Sequence, residues 1–139
     1  MKIKLAKSEV IHFVGIGGIG MSGLALVMSR MGFEVQGSDI SINKNIERLK
    51  NNKIKIFIGH EKINISRATI IVISSAVKKN NIEVISAKAR SLPVYKRGDM
   101  LGHITSLTKN IVVVGSHGKT TTTSLVASIL SLSNLDPTI

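Results

Sequence analysis

The sequence predicts an α/β fold, a Rossmann-like parallel sheet with helices on both faces. Short apolar runs alternate along the whole chain with segments of helical spacing, and that alternation is typical of parallel sheets. A glycine-rich turn leads from a strand into a helix twice, at 15–20 and at 115–118. The length of 139 residues suits one domain, or one domain and part of another.

Apolar runs predict the strands, which we expect at 10–15, 33–37, 54–58, 69–74, 92–95 and 110–115. The runs at 10–15, 69–74 and 110–115 are almost continuously apolar, as strands covered on both faces are. Lys55 interrupts the third run, so we place that strand nearer an edge of the sheet. Pro93 opens the short fifth run.

Helical spacing predicts helices at 18–31, 42–51, 82–90, 99–107 and 119–132. Gly32 is the stop signal of the first helix. Ser41 is the expected N-cap of the second helix, and Ile46 and Leu49 lie on one face of it.

Composition excludes several classes of protein. The chain has no cysteine, which excludes disulfides, zinc–thiolate sites and cysteine nucleophiles and suits a cytoplasmic location. Its 19 Lys and Arg against 8 Asp and Glu give a net charge of +11. The lysines are dispersed and the few aromatic residues lie in or beside apolar runs, so we expect no nucleic-acid partner. The basic surface would still favour phosphorylated ligands.

The stretch at 10–28 is uncharged and has the length of a membrane helix or a signal segment. It contains five glycines, and each costs about 1 kcal/mol in a helix interior. A strand, a tight turn and a helix explain the stretch better, and we expect no membrane association.

The first glycine turn matches G-x-G-x-x-G and consists of Gly15, Ile16, Gly17, Gly18, Ile19 and Gly20. Such a turn lets the backbone approach a diphosphate, which the helix N-terminus then attracts. Asp39, at the tip of the second strand, is where a nicotinamide enzyme binds ribose hydroxyls. The turn alone therefore leaves an NAD(P)-binding oxidoreductase domain open as an alternative.

The second glycine turn consists of Gly115, Ser116, His117, Gly118, Lys119, Thr120 and Thr121. It resembles a P-loop that is two residues short. Its backbone N–H groups would wrap a β-phosphate, Lys119 would reach the β- and γ-oxygens, and the Thr120 hydroxyl would reach Mg²⁺. A simple dehydrogenase has no use for this second turn.

Three further side chains are candidates for ligand contact. Ser74 and Ser75 end a strand at the carboxyl edge of the sheet, where ligands bind in open α/β folds. His60 follows a strand and Gly59 and could face the nucleotide. His12 lies within the first strand, where packing is the better interpretation.

Together the motifs closely resemble the Mur ligase family. They are IHFVGIGGIGMSGLA at 11–25, GSD at 37–39, SSAV at 74–77 and VVVGSHGKTTTT at 112–123. The family's phosphate loop usually has threonine where this chain has Ser116, and usually has glutamate where it has Asp99.

The resemblance implies a ligase of peptidoglycan synthesis that joins L-alanine to UDP-N-acetylmuramate through an acyl phosphate, using ATP and Mg²⁺. It implies a UDP-sugar domain over 1–106, with Gly15 to Gly20, Asp39, His60, Ser74 and Ser75 at the substrate. Residues 107–139 would begin the ATP-binding domain, with Lys119 and Thr120 acting on the transferred phosphoryl group. Family members are several hundred residues long, so we expect a fragment that is inactive alone; the oligomeric state stays open.

Overall fold

A computed structural model describes residues 3–139; Met1 and Lys2, at the start of the expected first domain, lie outside the described residues. The chain divides into two compact units, one ending at Leu107 and the other spanning Thr108–Ile139. Five strands and four helices belong to the first unit: β1 Val10–Val14, β2 Glu34–Asp39, β3 Lys55–Ile58, β4 Ile70–Ile73, β5 Val94–Lys96, α1 Ile19–Arg30, α2 Lys44–Asn51, α3 Ile82–Ala89 and α4 Arg97–Ser106.

The five strands form one parallel sheet in the order β3-β2-β1-β4-β5. β1 lies at its centre and is buried at every position. β3 lies at one edge, as the lysine within its run predicted. The order reverses direction at β1, so the loops after β1, β2 and β4 converge at the carboxyl edge of the sheet.

Helices cover both faces, which confirms the predicted fold class. α1, α2 and α4 contribute Met21, Leu24, Met28, Ile46, Leu49, Met100 and Ile104 to the larger core, against Ile11, Phe13 and Val72 of the sheet. α3 and a short 3-10 helix at Lys62–Ile65 cover the other face, where Val14 and Ile71 meet Ile65 and Ala87. No sequence pattern predicted the 3-10 helix.

The start of α2 corrects one expectation. Asn43, and not Ser41, is the N-cap: its side-chain oxygen accepts a hydrogen bond from the Ile46 N–H at 3.0 Å. Ser41 is exposed, and its backbone N–H donates instead to Asp39. The helix therefore begins at Lys44, later than the expected 42.

The second unit contains one helix, α5, at Lys119–Leu132. The strand predicted at 110–115 is absent; this segment is irregular, and its Ile111, Val112 and Val114 side chains are exposed. A strand exists only through backbone hydrogen bonds to a neighbour, and no strand of residues 3–139 pairs with this segment. A run of β-branched residues was therefore not enough to predict a strand at 110–115.

Among the helices of the described chain, none has the length and apolar character needed to cross a bilayer.

Candidate functional site

A cleft of about 510 Å³ opens at the carboxyl edge of the sheet. Six residues singled out from the sequence line it: Gly15, Gly17, Gly18, Asp39, His60 and Ser74. The other lining residues come from the loops after β2 and β4, and their polar members include Ser41, Asn43, Lys78, Asn80 and Asn81. Sequence reasoning assigned none of these residues to the site, although their position in the loops that follow strand ends was a usable signal.

Four of the proposed substrate residues do not line the cleft. Ile16 is fully buried in the core, and Ile19 is 88% exposed. Gly20 lies in the first turn of α1 against the Arg97 guanidinium, which an added Cβ would meet at 2.8 Å. Ser75 is exposed beside the cleft residue Ser74.

The first glycine turn satisfies most of its own backbone donors. The Gly15 and Ile16 N–H groups both donate to the Ser38 carbonyl, at 2.8 and 3.0 Å, and Gly18 donates to the Gly15 carbonyl. Gly15 has φ +80°, a left-handed conformation that favours glycine. The turn is therefore anchored to the end of β2.

Asp39 anchors the same turn through a side chain. Its Oδ2 accepts a hydrogen bond from the Gly17 N–H at 2.8 Å, and the Gly17 carbonyl accepts one from the Asn45 amide at 2.9 Å. A Cβ on Gly17 would lie 2.9 Å from Asp39 Oδ2, so only glycine permits this approach. The carboxylate that a dinucleotide enzyme offers to ribose is here directed at the turn itself.

The donors left for an anion are those of the first turn of α1. Within residues 3–139, the Ile19, Gly20 and Met21 N–H groups have no backbone acceptor, since the helical bonds begin with Ser22 donating to Gly18. The positive end of the helix dipole coincides with these groups. Arg97 adds a full positive charge beside Gly20.

Beneath the cleft lies a buried polar network around Glu83 of α3, whose side chain is fully buried. Its Oε2 accepts from Ser38 Oγ at 2.5 Å and lies 3.3 Å from His12 Nε2 and 3.2 Å from His60 Nδ1. Its Oε1 accepts from the Asn64 amide at 2.6 Å. His12 is thus a packed network residue, as its position in the first strand suggested.

The network decides the charge of Glu83. Burial alone would raise the pKa of this carboxyl, but hydrogen bonds from His12, Ser38 and Asn64 outweigh burial and lower the pKa to about 2. The carboxylate is therefore ionised at neutral pH. It has no lysine or arginine partner among the described residues.

The second glycine turn has a different construction. Gly118, at φ +75°, precedes α5, and the Thr122 N–H closes the first helical bond onto the Gly118 carbonyl. Lys119 folds back across the turn, with Nζ donating to the Gly115 carbonyl at 2.5 Å. The turn side chains Ser116, His117, Lys119, Thr120 and Thr121 are all exposed. A ligand can therefore reach each of them.

No protein-built metal centre accompanies either turn. Within residues 3–139, no three His, Cys, Asp or Glu side chains cluster in a way that could hold a metal ion.

A parallel sheet whose strand order reverses at β1, with a glycine turn and a cleft at that point, is the architecture typical of nucleotide-binding α/β domains. Residues 10–109 match the sequence model of the Mur ligase family, catalytic domain. The chain belongs to the Mur ligase family.

Several similar proteins are ligases whose names include UDP-N-acetylmuramate. The UDP-N-acetylmuramate–L-alanine ligase of Pelagibacter ubique is 73% identical over all 139 residues, and that of Rhodospirillum rubrum is 56% identical over 129. The crystal structure of the Thermotoga maritima UDP-N-acetylmuramate–alanine ligase matches 87% of this chain with a TM-score of 0.78 and 36% identity. A Neisseria meningitides ligase named for UDP-N-acetylmuramate and an L-alanyl-γ-D-glutamyl-meso-diaminopimelate peptide matches 90% with a TM-score of 0.79 and 29% identity.

The chain spans about 30% of the length of the Pelagibacter ubique relative and 27% of the Rhodospirillum rubrum relative. It spans 29% of the Thermotoga maritima chain.

Proposed function

We propose that this chain forms the UDP-sugar site and the ATP phosphate loop of a ligase that joins L-alanine to UDP-N-acetylmuramate. The identity of 73% to the Pelagibacter ubique ligase along the whole chain is the observation that carries this proposal. The cleft at the first glycine turn and the exposed lysine of the second turn support it.

The first unit, proposed as the substrate domain over 1–106, holds UDP-N-acetylmuramate. Its diphosphate lies at the start of α1, where the unpaired N–H groups of Ile19, Gly20 and Met21 offer hydrogen bonds. Gly15, Gly17 and Gly18 let the ligand approach the backbone, while Asp39 fixes their conformation. His60 and Ser74 contact the rest of the nucleotide from the cleft wall, and Ser75 lies beside them.

The second unit, proposed as the start of the ATP-binding domain over 107–139, holds the phosphates of ATP. Residues 110–135 carry no acidic side chain, so nothing in the turn repels a polyphosphate. Gly115, Ser116, His117, Gly118 and Thr121 surround it with backbone N–H groups at the helix start.

Lys119 supplies the cation of that turn. Its ammonium rests on the Gly115 carbonyl, within reach of a phosphate oxygen that would replace this acceptor. The exposed Thr120 hydroxyl is the group that would hold Mg²⁺. ATP with Mg²⁺ would supply the γ-phosphoryl group for an acyl phosphate of the muramate carboxylate, with ADP leaving, because an unactivated carboxylate is a poor electrophile for an amine. The amine of L-alanine would then displace phosphate to form the amide. Lys119 stabilises charge on the transferred phosphoryl group. Such ATP-dependent chemistry belongs in the cytoplasm.

Thermal unfolding of the chain with different ligands tests the substrate assignment. UDP-N-acetylmuramate at about 100 times its Kd should add roughly 2.7 kcal/mol to the free energy of unfolding. NAD should add nothing, because the proposal assigns the cleft to a UDP-sugar and gives Asp39, which accepts from the Gly17 N–H, the role of holding the turn. Stabilisation by NAD and not by UDP-N-acetylmuramate would reverse the proposal in favour of an oxidoreductase domain.

A further inference from the structure

His60 connects the cleft to the buried network beneath it. Its side chain is 18% exposed, so part of the ring faces the cleft and the rest is enclosed. The enclosed part carries Nδ1, which lies 3.0 Å from Ser38 Oγ and 3.2 Å from Glu83 Oε2. The opposite ring nitrogen, Nε2, makes no hydrogen bond to any residue in the described part of the chain.

The neighbours of Nδ1 decide where the ring carries its proton. Ser38 Oγ donates its only proton to Glu83 Oε2 across 2.5 Å, so towards His60 it can only accept. Glu83 is an ionised carboxylate and also only accepts. Nδ1 therefore faces two acceptors and must carry the proton, which leaves Nε2 of the neutral ring without one.

His12 shows that the same carboxylate orders a second ring in the opposite tautomer. The Gln36 amide donates to His12 Nδ1 at 3.1 Å and to the Asn64 carbonyl at 2.9 Å. His12 Nδ1 is thus an acceptor, and its Nε2 carries the proton that faces Glu83 Oε2 at 3.3 Å.

We propose that Glu83 and Ser38 are positioning residues that hold His60 in the Nδ1–H tautomer, so that its Nε2 accepts a hydrogen bond from the nucleoside part of the bound nucleotide. The inference rests on the proposed function. A bare ring nitrogen attracts a donor and is repelled by a phosphate oxygen, which is itself an acceptor. Uridine offers donors in its imide N–H and ribose hydroxyls, whereas a diphosphate offers none.

This arrangement separates the proposed nucleotide site into two parts by chemistry. The start of α1, next to the cleft residue Gly18, presents donors, and it therefore receives the diphosphate. His60, on the wall formed by the loop after β3, presents an acceptor and receives the nucleoside. Further ionisable groups of the described residues lie in the same network or cleft: His12 shares Glu83 Oε2 with His60, the adjacent Glu61 donates its N–H to Glu83, and Asp39 and Lys78 line the cleft.

Nitrogen-15 NMR of the histidine rings in the full chain at pH 8 tests the tautomer directly. The expected result is a protonated Nδ1 and an unprotonated Nε2 on His60, with the reverse on His12. An Nε2–H tautomer or an imidazolium on His60 would overturn the inference. In Glu83→Gln the carboxamide can donate to Nδ1, so the Nε2–H tautomer of His60 should appear.

Binding of two probes separates the nucleoside role from a general anion role. His60→Ala should weaken UMP binding about tenfold, the loss of one hydrogen bond, and leave inorganic pyrophosphate binding unchanged. Glu83→Gln should weaken UMP binding similarly, and Glu83→Asp should restore part of it. His103→Gln, on α4, is the matched control and should bind both probes as the original chain does.

The outcomes distinguish this inference from the proposed function. If UDP-N-acetylmuramate and UMP both fail to bind the unaltered chain, both fall. If both bind, only the inference fails in either of two cases: His60→Ala weakens pyrophosphate binding as much as UMP binding, or it weakens the binding of neither probe. Should Glu83→Gln not fold, the NMR of the unaltered chain and the His60→Ala comparison still decide it.

Discussion

The two glycine turns of this chain have similar sequences, glycine-rich and directly before a helix, but different interactions hold them in place. The first turn ends the central strand of a five-stranded sheet, and Ser38, Asp39 and Asn45 bond its backbone. The second follows a segment that forms no strand, and its side chains are exposed. A turn motif therefore indicates which groups are available to bind a ligand. The packing around the turn decides whether those groups are held in fixed positions.

The difference also shows which signals a sequence carries. Apolar runs and helical spacing predicted the strands and α-helices of the first unit, and the lysine within the third run predicted the edge position of β3, because these signals are local in the sequence. Whether 110–115 forms a strand could not be predicted from the local sequence, since a strand needs a neighbouring strand to pair with. The network beneath the cleft could not be predicted in this way. His12 and Glu83 are 71 positions apart in the sequence, and no short motif includes both residues.

Replacement of Gly37 should break the first turn most strongly. A Cβ there would lie 2.5 Å from Ile16 Cδ1 and 2.6 Å from the Phe13 carbonyl, so Gly37→Ala should cost about 3 kcal/mol or more of unfolding free energy. Urea unfolding measures the effect. Gly23→Ala is the control, because a Cβ there meets nothing within 4 Å in mid-helix and should stabilise by about 1 kcal/mol. Equal effects of both substitutions would contradict the packing account.

Acid should weaken the first unit through Glu83. The network lowers the pKa of this carboxyl from 4.5 to about 2 in the folded chain, so ionised Glu83 stabilises the fold at neutral pH by on the order of 1 kcal/mol once solvent screening is allowed for. That stability is fully present above pH 4.5 and is lost as the pH falls towards 2, because the unfolded chain takes up the proton first. Urea unfolding across this range measures it.

Glu83→Gln supplies the comparison for the acid experiment. The variant should be less stable at pH 7 and should show a shallower loss of stability between pH 4.5 and 2. An unchanged slope would mean that other carboxylates cause the acid sensitivity.

Removal of the Asp39 carboxylate should loosen the first turn by a smaller amount. Asp39→Ala leaves the buried Gly17 N–H without its acceptor, at a cost of about 2 kcal/mol. Asp39→Asn keeps an acceptor oxygen and should recover much of the loss. Chemical unfolding of the two variants gives the difference, and an Asn variant as unstable as the Ala variant would show that charge, rather than the hydrogen bond, matters.

Lys119 should matter for binding and hardly at all for stability. Its side chain is exposed and contacts only its own turn, so Lys119→Ala should change the free energy of unfolding by less than about 0.5 kcal/mol. Affinity for ATP, measured by calorimetry, should fall about tenfold or more. Lys109→Ala, in the exposed segment before the turn, is the matched control and should change neither quantity. An unchanged ATP affinity in Lys119→Ala would contradict the assignment of the second turn.

Amide hydrogen exchange of the full chain, with and without UDP-N-acetylmuramate, tests the central claim most directly. We expect the ligand to slow exchange of the amides at 17–21 and in the loops at 40–43 and 74–81, while the amides at 111–121 exchange as before. Protection confined to 111–121, or none at saturating ligand, would contradict the assignment of the cleft to the UDP-sugar.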